Sequence, residues 1–145
     1  MAGIAPLATS LTLEIVTPDR ALVAEQVDEV EIPGSDGYFG VLPAHAPLLA
    51  ALQVGELWYR KGQEKHYLAI AFGFVEVLPD KVTVLAQIAE RAEDIDLARA
   101  EKAKARAEER VAGSPVSDMD FERARIALMK SLIRLQVASR ARTRA

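Results

Sequence analysis

Along the first ninety residues the hydrophobic positions recur every second residue. Leu11, Leu13 and Ile15 alternate with Thr12 and Glu14, the period of a half-buried strand. Val30 and Ile32 repeat it against Glu29 and Glu31. Leu57 and Tyr59 alternate with Glu56, Trp58 and Arg60, and the turn Lys61-Gly62-Gln63-Glu64 predicts pairing with residues 66–71. A last hairpin is expected to join 72–78 to 82–87 across Pro79-Asp80-Lys81. Gly73, inside a strand pattern, predicts a bulge or a close backbone approach. Short strands with Gly/Pro turns and no helical pattern between them predict an antiparallel sandwich or barrel.

Beyond residue 90 the period becomes 3.6. Asp94 is the expected N-cap of a helix over Ile95 to Ala112, rich in Ala, Glu, Lys and Arg. Leu97, Ala100, Ala103, Ala107 and Val111 mark its apolar face, and Gly113-Ser114-Pro115 should stop it. Ser117-Asp118-Met119-Asp120 opens a second helix with a capping-box pattern. The stripe expected there is Phe121, Ala124, Leu128 and Leu132, with Leu135 next and Ile126, Met129 and Ile133 at its flanks. The five-residue connection predicts an antiparallel pair. The fold class is therefore an all-β sandwich over residues 1–88 followed by an antiparallel α-helical hairpin over residues 89–145. Alanine buries little area, so the first helix holds its neighbours weakly and the hairpin can be either docked or mobile.

Composition narrows the chemistry. The 145 residues are half apolar, enough for a core. With no Cys and two His, disulfides, thiolate sites and His-based metal sites drop out. No 18-residue apolar run spans a membrane, and the start lacks the basic and apolar regions of a signal peptide, so the expectation is a soluble, intracellular chain. The net charge of −3 hides an asymmetry. Residues 123–145 hold seven basic side chains and no acidic one. Such a run is either a solvated helix face or a docking surface for an acidic partner. It lacks aromatics, which argues against a nucleic-acid platform.

Catalytic groups are missing by type. There is no phosphate loop, no Gly-x-Gly-x-x-Gly before a helix and no nucleophile elbow. His45 stands alone in a loop bracketed by Pro43 and Pro47, which fix φ and shape a rigid corner. Asp96 and Arg99, three apart at the start of the first helix, share a face. They can pair as structural charges, or Arg99 can hold phosphate while Asp96 accepts from a base or ribose.

Several motifs in order resemble one family. Gly34-Ser35-Asp36-Gly37, Gly40-x-x-Pro43-x-His45-Ala46-Pro47-Leu48-Leu49, Gly73-Phe74-Val75-Glu76-Val77, Val82-Thr83-Val84-Leu85-Ala86 and Ile95-Asp96-x-x-Arg99-Ala100 are similar to the epsilon subunits of bacterial and chloroplast F-type ATP synthases. The resemblance runs from about residue 11 to 138. It implies a non-catalytic central-stalk rotor subunit whose sandwich joins the gamma subunit to the c ring during proton-driven ATP synthesis. It also implies that the hairpin folds on the sandwich, or extends along gamma toward the alpha/beta catalytic subunits and opposes ATP hydrolysis. The subunit would sit peripherally at the cytoplasmic face of the inner membrane, held by its complex.

By the same resemblance, Tyr38 and His45 are c-ring contacts, although some relatives carry a carboxylate where this chain has Tyr38. Arg123, Arg125, Lys130, Arg134 and Arg140 become the inhibitory contacts. Regulatory ATP, with no required cofactor, is implied at Ile95, Asp96, Arg99, Ala100, Lys130 and Arg134. Nucleotide-binding members have Arg where this chain has Lys130, and Lys meets phosphate as a point charge instead of a fork. A stand-alone ATP-sensing module is the second reading.

Overall fold

The computed structural model describes residues 6–113 and 117–142. Eight strands come first: β1 Leu11–Val16, β2 Ala21–Val27, β3 Glu29–Gly34, β4 Gly37–Val41, β5 Leu48–Leu52, β6 Gly55–Lys61, β7 Glu64–Val77 and β8 Lys81–Arg91. A 3₁₀ turn over Ala92–Asp94 leads to α1, Leu97–Ala112, and α2, Asp118–Arg142. The strands hydrogen-bond in the order β2-β1-β8-β7-β5-β3-β4, with β6 pairing β3 and β7. They wrap one core in which Leu11, Leu13, Ile15, Ile32, Leu57, Tyr59 and Val84 are almost fully buried. This is the expected sandwich. One pair departs from the antiparallel expectation, because β1 runs parallel to β8.

The two strands expected at 66–71 and 72–78 are one, β7, bent in its middle. Ala71 pairs with Ile88 and Gly73 with Ala86, leaving Phe72 and Gln87 out of an otherwise constant register. On its other edge β7 faces β5 beyond the bend and β6 before it, with Gln53 and Val54 between them. Phe72 and Gly73 have φ of 60° and 122°. Two successive positive φ values switch the alternation, so the core-facing residues change from Leu68 and Ile70 to Val75 and Val77. Of the two possibilities for Gly73, the close approach holds. A Cβ there would collide with the Leu85 carbonyl oxygen.

The hairpin is docked. Val137 and Ala138 of α2 and Ala100 of α1 close over Ala69, Ala92 and Ile95 in a second apolar cluster, flanked by Tyr67 and Ile133. The cap of α1 is Asp96, not Asp94: its carboxylate accepts from the Arg99 N–H at 3.1 Å, and α1 begins at Leu97. Asp94 is used up in the 3₁₀ turn, and Ile95 is extended with ψ 123°, so only the chain beyond it can start an α-helix. Gly113 caps the other end in an extended conformation, with no left-handed turn. Ser114 and Pro115 lie outside the described residues. Ser117 Oγ accepts from the Asp120 N–H at 3.1 Å, the first half of the expected capping box.

The buried line of α2 also differs from the expected stripe. It runs through Ala124, Ser131 and Ala138, a seven-residue repeat, while Phe121 and Leu132 are exposed. Apolar residues surround this helix, so hydrophobicity alone does not orient it. The small residues decide, because they allow close packing beside the alanines of α1. Ser131 satisfies its hydroxyl by donating to the Ala127 carbonyl at 2.9 Å.

Candidate functional site

Between the hairpin and the sandwich lies a cleft of about 460 Å³. Ala69, Ile70, Ala71, Val54 and Ile88 form its apolar floor. Arg99, Arg106 and Arg110 of α1 line it, spaced seven and four apart and so on one helix face. From α2 come Lys130 and Arg134, four apart. Glu90, the one carboxylate among the described lining residues, faces Arg134. Five cations around one carboxylate, over an apolar floor, suit an anion with an apolar part.

Two of these cations have partners in this state, Arg134 and Lys130. Arg134 Nε stands 2.7 Å from Glu90 Oε1, and its terminal nitrogen donates to Oε2 at 3.2 Å. The Nε proton is buried and badly aligned for a hydrogen bond. Lys130 Nζ lies 5.6 Å from the centre of the Phe72 ring. Outside the cleft, Arg140 donates twice to the Glu56 carboxylate, at 3.1 Å each, and stands over the Tyr67 ring. The Glu56 carboxylate raises the pKa of the Arg140 guanidinium.

The residues singled out from the sequence separate into three places. Arg99, Lys130 and Arg134 converge on the cleft. Ile95 and Ala100 do not line it but join the apolar cluster that seats the hairpin. The Asp96 carboxylate is engaged at its own helix end, so the pairing with Arg99 is made to the backbone. Of the inhibitory candidates, Arg123 and Arg125 are exposed, and Arg125 forks onto Glu122.

Tyr38 and His45 sit apart on the sandwich. Tyr38, about half exposed, accepts the Glu56 N–H at 3.0 Å beside the start of β6. His45 lies in the loop after β4, where the Ala44 N–H reaches the Pro79 carbonyl at 2.8 Å. His45 Nδ1 donates to the Ala46 carbonyl at 2.7 Å. Ala44 takes φ 70°, a left-handed corner inside the proline bracket. Leu42, Leu48 and Leu49 around it are exposed, which gives this edge an apolar surface.

Sequence reasoning missed Arg106, Arg110, Glu90 and Glu56. The seven-and-four spacing of Arg99, Arg106 and Arg110 was the available signal for the first two. Glu56 and Glu90 carry no local signal, because their partners lie far along the chain.

A β-sandwich carrying a docked, cation-lined helical hairpin is the class of structure these observations define. The domain described as "ATP synthase, Delta/Epsilon chain, beta-sandwich domain" matches residues 10–92, and "ATP synthase, Delta/Epsilon chain, long alpha-helix domain" matches residues 93–139. The chain belongs to the ATP synthase delta/epsilon family. It is 52% identical over 132 residues to the ATP synthase epsilon chain of Nitratidesulfovibrio vulgaris, covering 91% of this chain and 98% of that one. It is 48% identical over 134 residues to ATP synthase epsilon chain 2 of Syntrophotalea carbinolica, covering 92% and 97%. Among solved structures, a chain of the Euglena gracilis mitochondrial ATP synthase shares the fold with a TM-score of 0.80 at 24% identity, covering 94% of this chain and 85% of its own. A chain of the Tetrahymena thermophila mitochondrial ATP synthase central stalk and c-ring follows at 0.57 and 13%, covering 94% and 98%. At these identities the likeness is one of fold. Among the described residues, no helix is long and apolar enough to cross a membrane.

Proposed function

We propose that this chain is a non-catalytic rotor subunit of a proton-translocating ATP synthase, joining the gamma subunit to the c ring and opposing ATP hydrolysis through its hairpin. Family membership and the epsilon-chain relatives support the coupling role. The observation that carries the inhibitory role is the state of the basic run. In the docked hairpin Arg134 is held by Glu90 and Arg140 by Glu56. These cations meet an acidic segment of a catalytic subunit only after the hairpin leaves the sandwich, so docking and inhibition exclude each other. The exposed edge around Tyr38, His45 and Leu49 is the surface assigned to the c ring. On this reading the chain lies peripherally at the cytoplasmic face of the inner membrane.

The test uses the assembled enzyme carrying either the full chain or a chain ending at Ala92, where the sandwich is complete. Hydrolysis should rise with the shortened chain while assembly and ATP synthesis persist. Unchanged hydrolysis removes the inhibitory role and leaves the coupling role.

The cleft favours a second element, regulatory ATP held by Arg99, Lys130 and Arg134, which would stabilise the docked hairpin. Calorimetry with the isolated full chain and with Arg99→Ala tests it. Binding weakened by the substitution supports the site, and no heat at millimolar ATP removes it. A chain that binds ATP but never co-purifies with gamma would be a stand-alone sensor.

A further inference from the structure

Phe72 is an unusual residue to find where it stands. It is a bulky non-glycine side chain at φ 60°, at the bend where the β7–β8 ladder skips one pair. Backbone strain of this kind persists where the surroundings hold it, and it concentrates at functional positions. The bend places the ring at the margin of the cleft. Its chain neighbour Ala71 lines the floor, and Lys130, which lines the α2 wall, has its Nζ 5.6 Å from the ring centre. The ring is half-buried, and the face it offers Lys130 is a flat apolar surface beside a cluster of cations.

We propose that Phe72, at the margin of the cleft, is the stacking platform for the base of a nucleoside triphosphate, and so the residue by which the cleft tells a nucleotide from a bare polyphosphate. The inference rests on the nucleotide reading given above. An aromatic face next to Lys and Arg is the arrangement that takes a base on the ring and its phosphates on the cations. Lys130 would exchange the π face for phosphate as the base takes its place. An inorganic polyphosphate would use the cations alone.

The test is calorimetry on the full chain with ATP and, separately, with inorganic tripolyphosphate, for wild type, Phe72→Leu and Phe72→Trp. Leucine keeps apolar bulk and removes the π system. The expected result is an ATP affinity about tenfold weaker in Phe72→Leu and restored in Phe72→Trp, with tripolyphosphate unchanged throughout. Unchanged tripolyphosphate binding also reports that the hairpin and its cations are in place. Equal loss for both ligands would overturn the proposal, because the ring would then act only through Lys130. Unaltered ATP affinity in Phe72→Leu would overturn it as well. Wild type binding neither ligand would remove the nucleotide reading itself, before any substitution is compared.

Discussion

Glu56 and Arg140, 84 residues apart in sequence, meet through two hydrogen bonds of 3.1 Å that clasp the end of α2 to the sandwich. The partners are unequal in exposure. The Glu56 side chain is 9% exposed and that of Arg140 43%, so the carboxylate depends on the guanidinium more than the reverse. The backbone N–H of Glu56 also donates to the Tyr38 hydroxyl, so one residue touches both the hairpin and the edge proposed to meet the c ring.

Arg140→Gln should therefore loosen the hairpin and leave the sandwich intact. Stranding a buried carboxylate costs about 1–3 kcal/mol, reduced here because Arg140 is half in water. Amide exchange in the last two turns of α2 should quicken about tenfold, while β7 and β8 stay protected. The double variant Glu56→Gln/Arg140→Gln should recover part of the loss. Exchange in α2 indifferent to Arg140→Gln would refute the clasp.

The sandwich was legible because strand alternation is local. The docked hairpin was not, because Ala69, Val137 and the Glu56–Arg140 pair record no sequence-adjacent signal of their meeting. The same limit explains the α2 stripe. A helix with Leu, Ile and Met on most sides does not declare which face is inward, and the decision falls to small residues such as Ala124 and Ser131. In the cleft, Arg99 was found from a motif and Lys130 and Arg134 from the family resemblance, whereas Phe72 required the backbone bend to be seen.

The helix start offers a clean comparison of two neighbouring acids. Asp96→Ala removes the cap of α1 and should cost about 1 kcal/mol of stability. Asp94→Ala removes an exposed carboxylate in the 3₁₀ turn and should cost below about 0.5 kcal/mol. Urea unfolding of both variants checks this, and equal losses would return the cap to Asp94.

Gly73 and Gly37 both have strongly positive φ, at 122° and 133°, but different surroundings. Nothing lies within 4 Å of a Cβ placed on Gly37, while one on Gly73 meets the Leu85 backbone. Gly37→Ala should cost only backbone strain, on the order of 1–3 kcal/mol. Gly73→Ala adds a collision that no rotamer relieves, because the obstacle is main chain, and should exceed about 4 kcal/mol. Chemical denaturation orders the two, and a milder effect at Gly73 would contradict the close approach.

The buried Tyr59 contributes to the pH dependence of the sandwich's stability. Burial first, then the Glu25 carboxylate that accepts from its hydroxyl, pushes the Tyr59 pKa up to about 12. Unfolded, the phenol loses its proton near pH 10. Between about pH 10 and 12 the unfolded chain thus binds fewer protons at this residue than the folded one, and stability falls as pH rises. The same hydroxyl holds the Glu25 carboxyl below its ordinary value, with Lys61 adding to the effect. That contribution is present above the unfolded carboxylate value and disappears as pH falls through the folded one. Tyr59→Phe should flatten the alkaline limb and remove part of the acid dependence. Thermal unfolding followed from pH 3 to 11 reads both limbs, and an alkaline limb unchanged by the substitution would show that another group controls it.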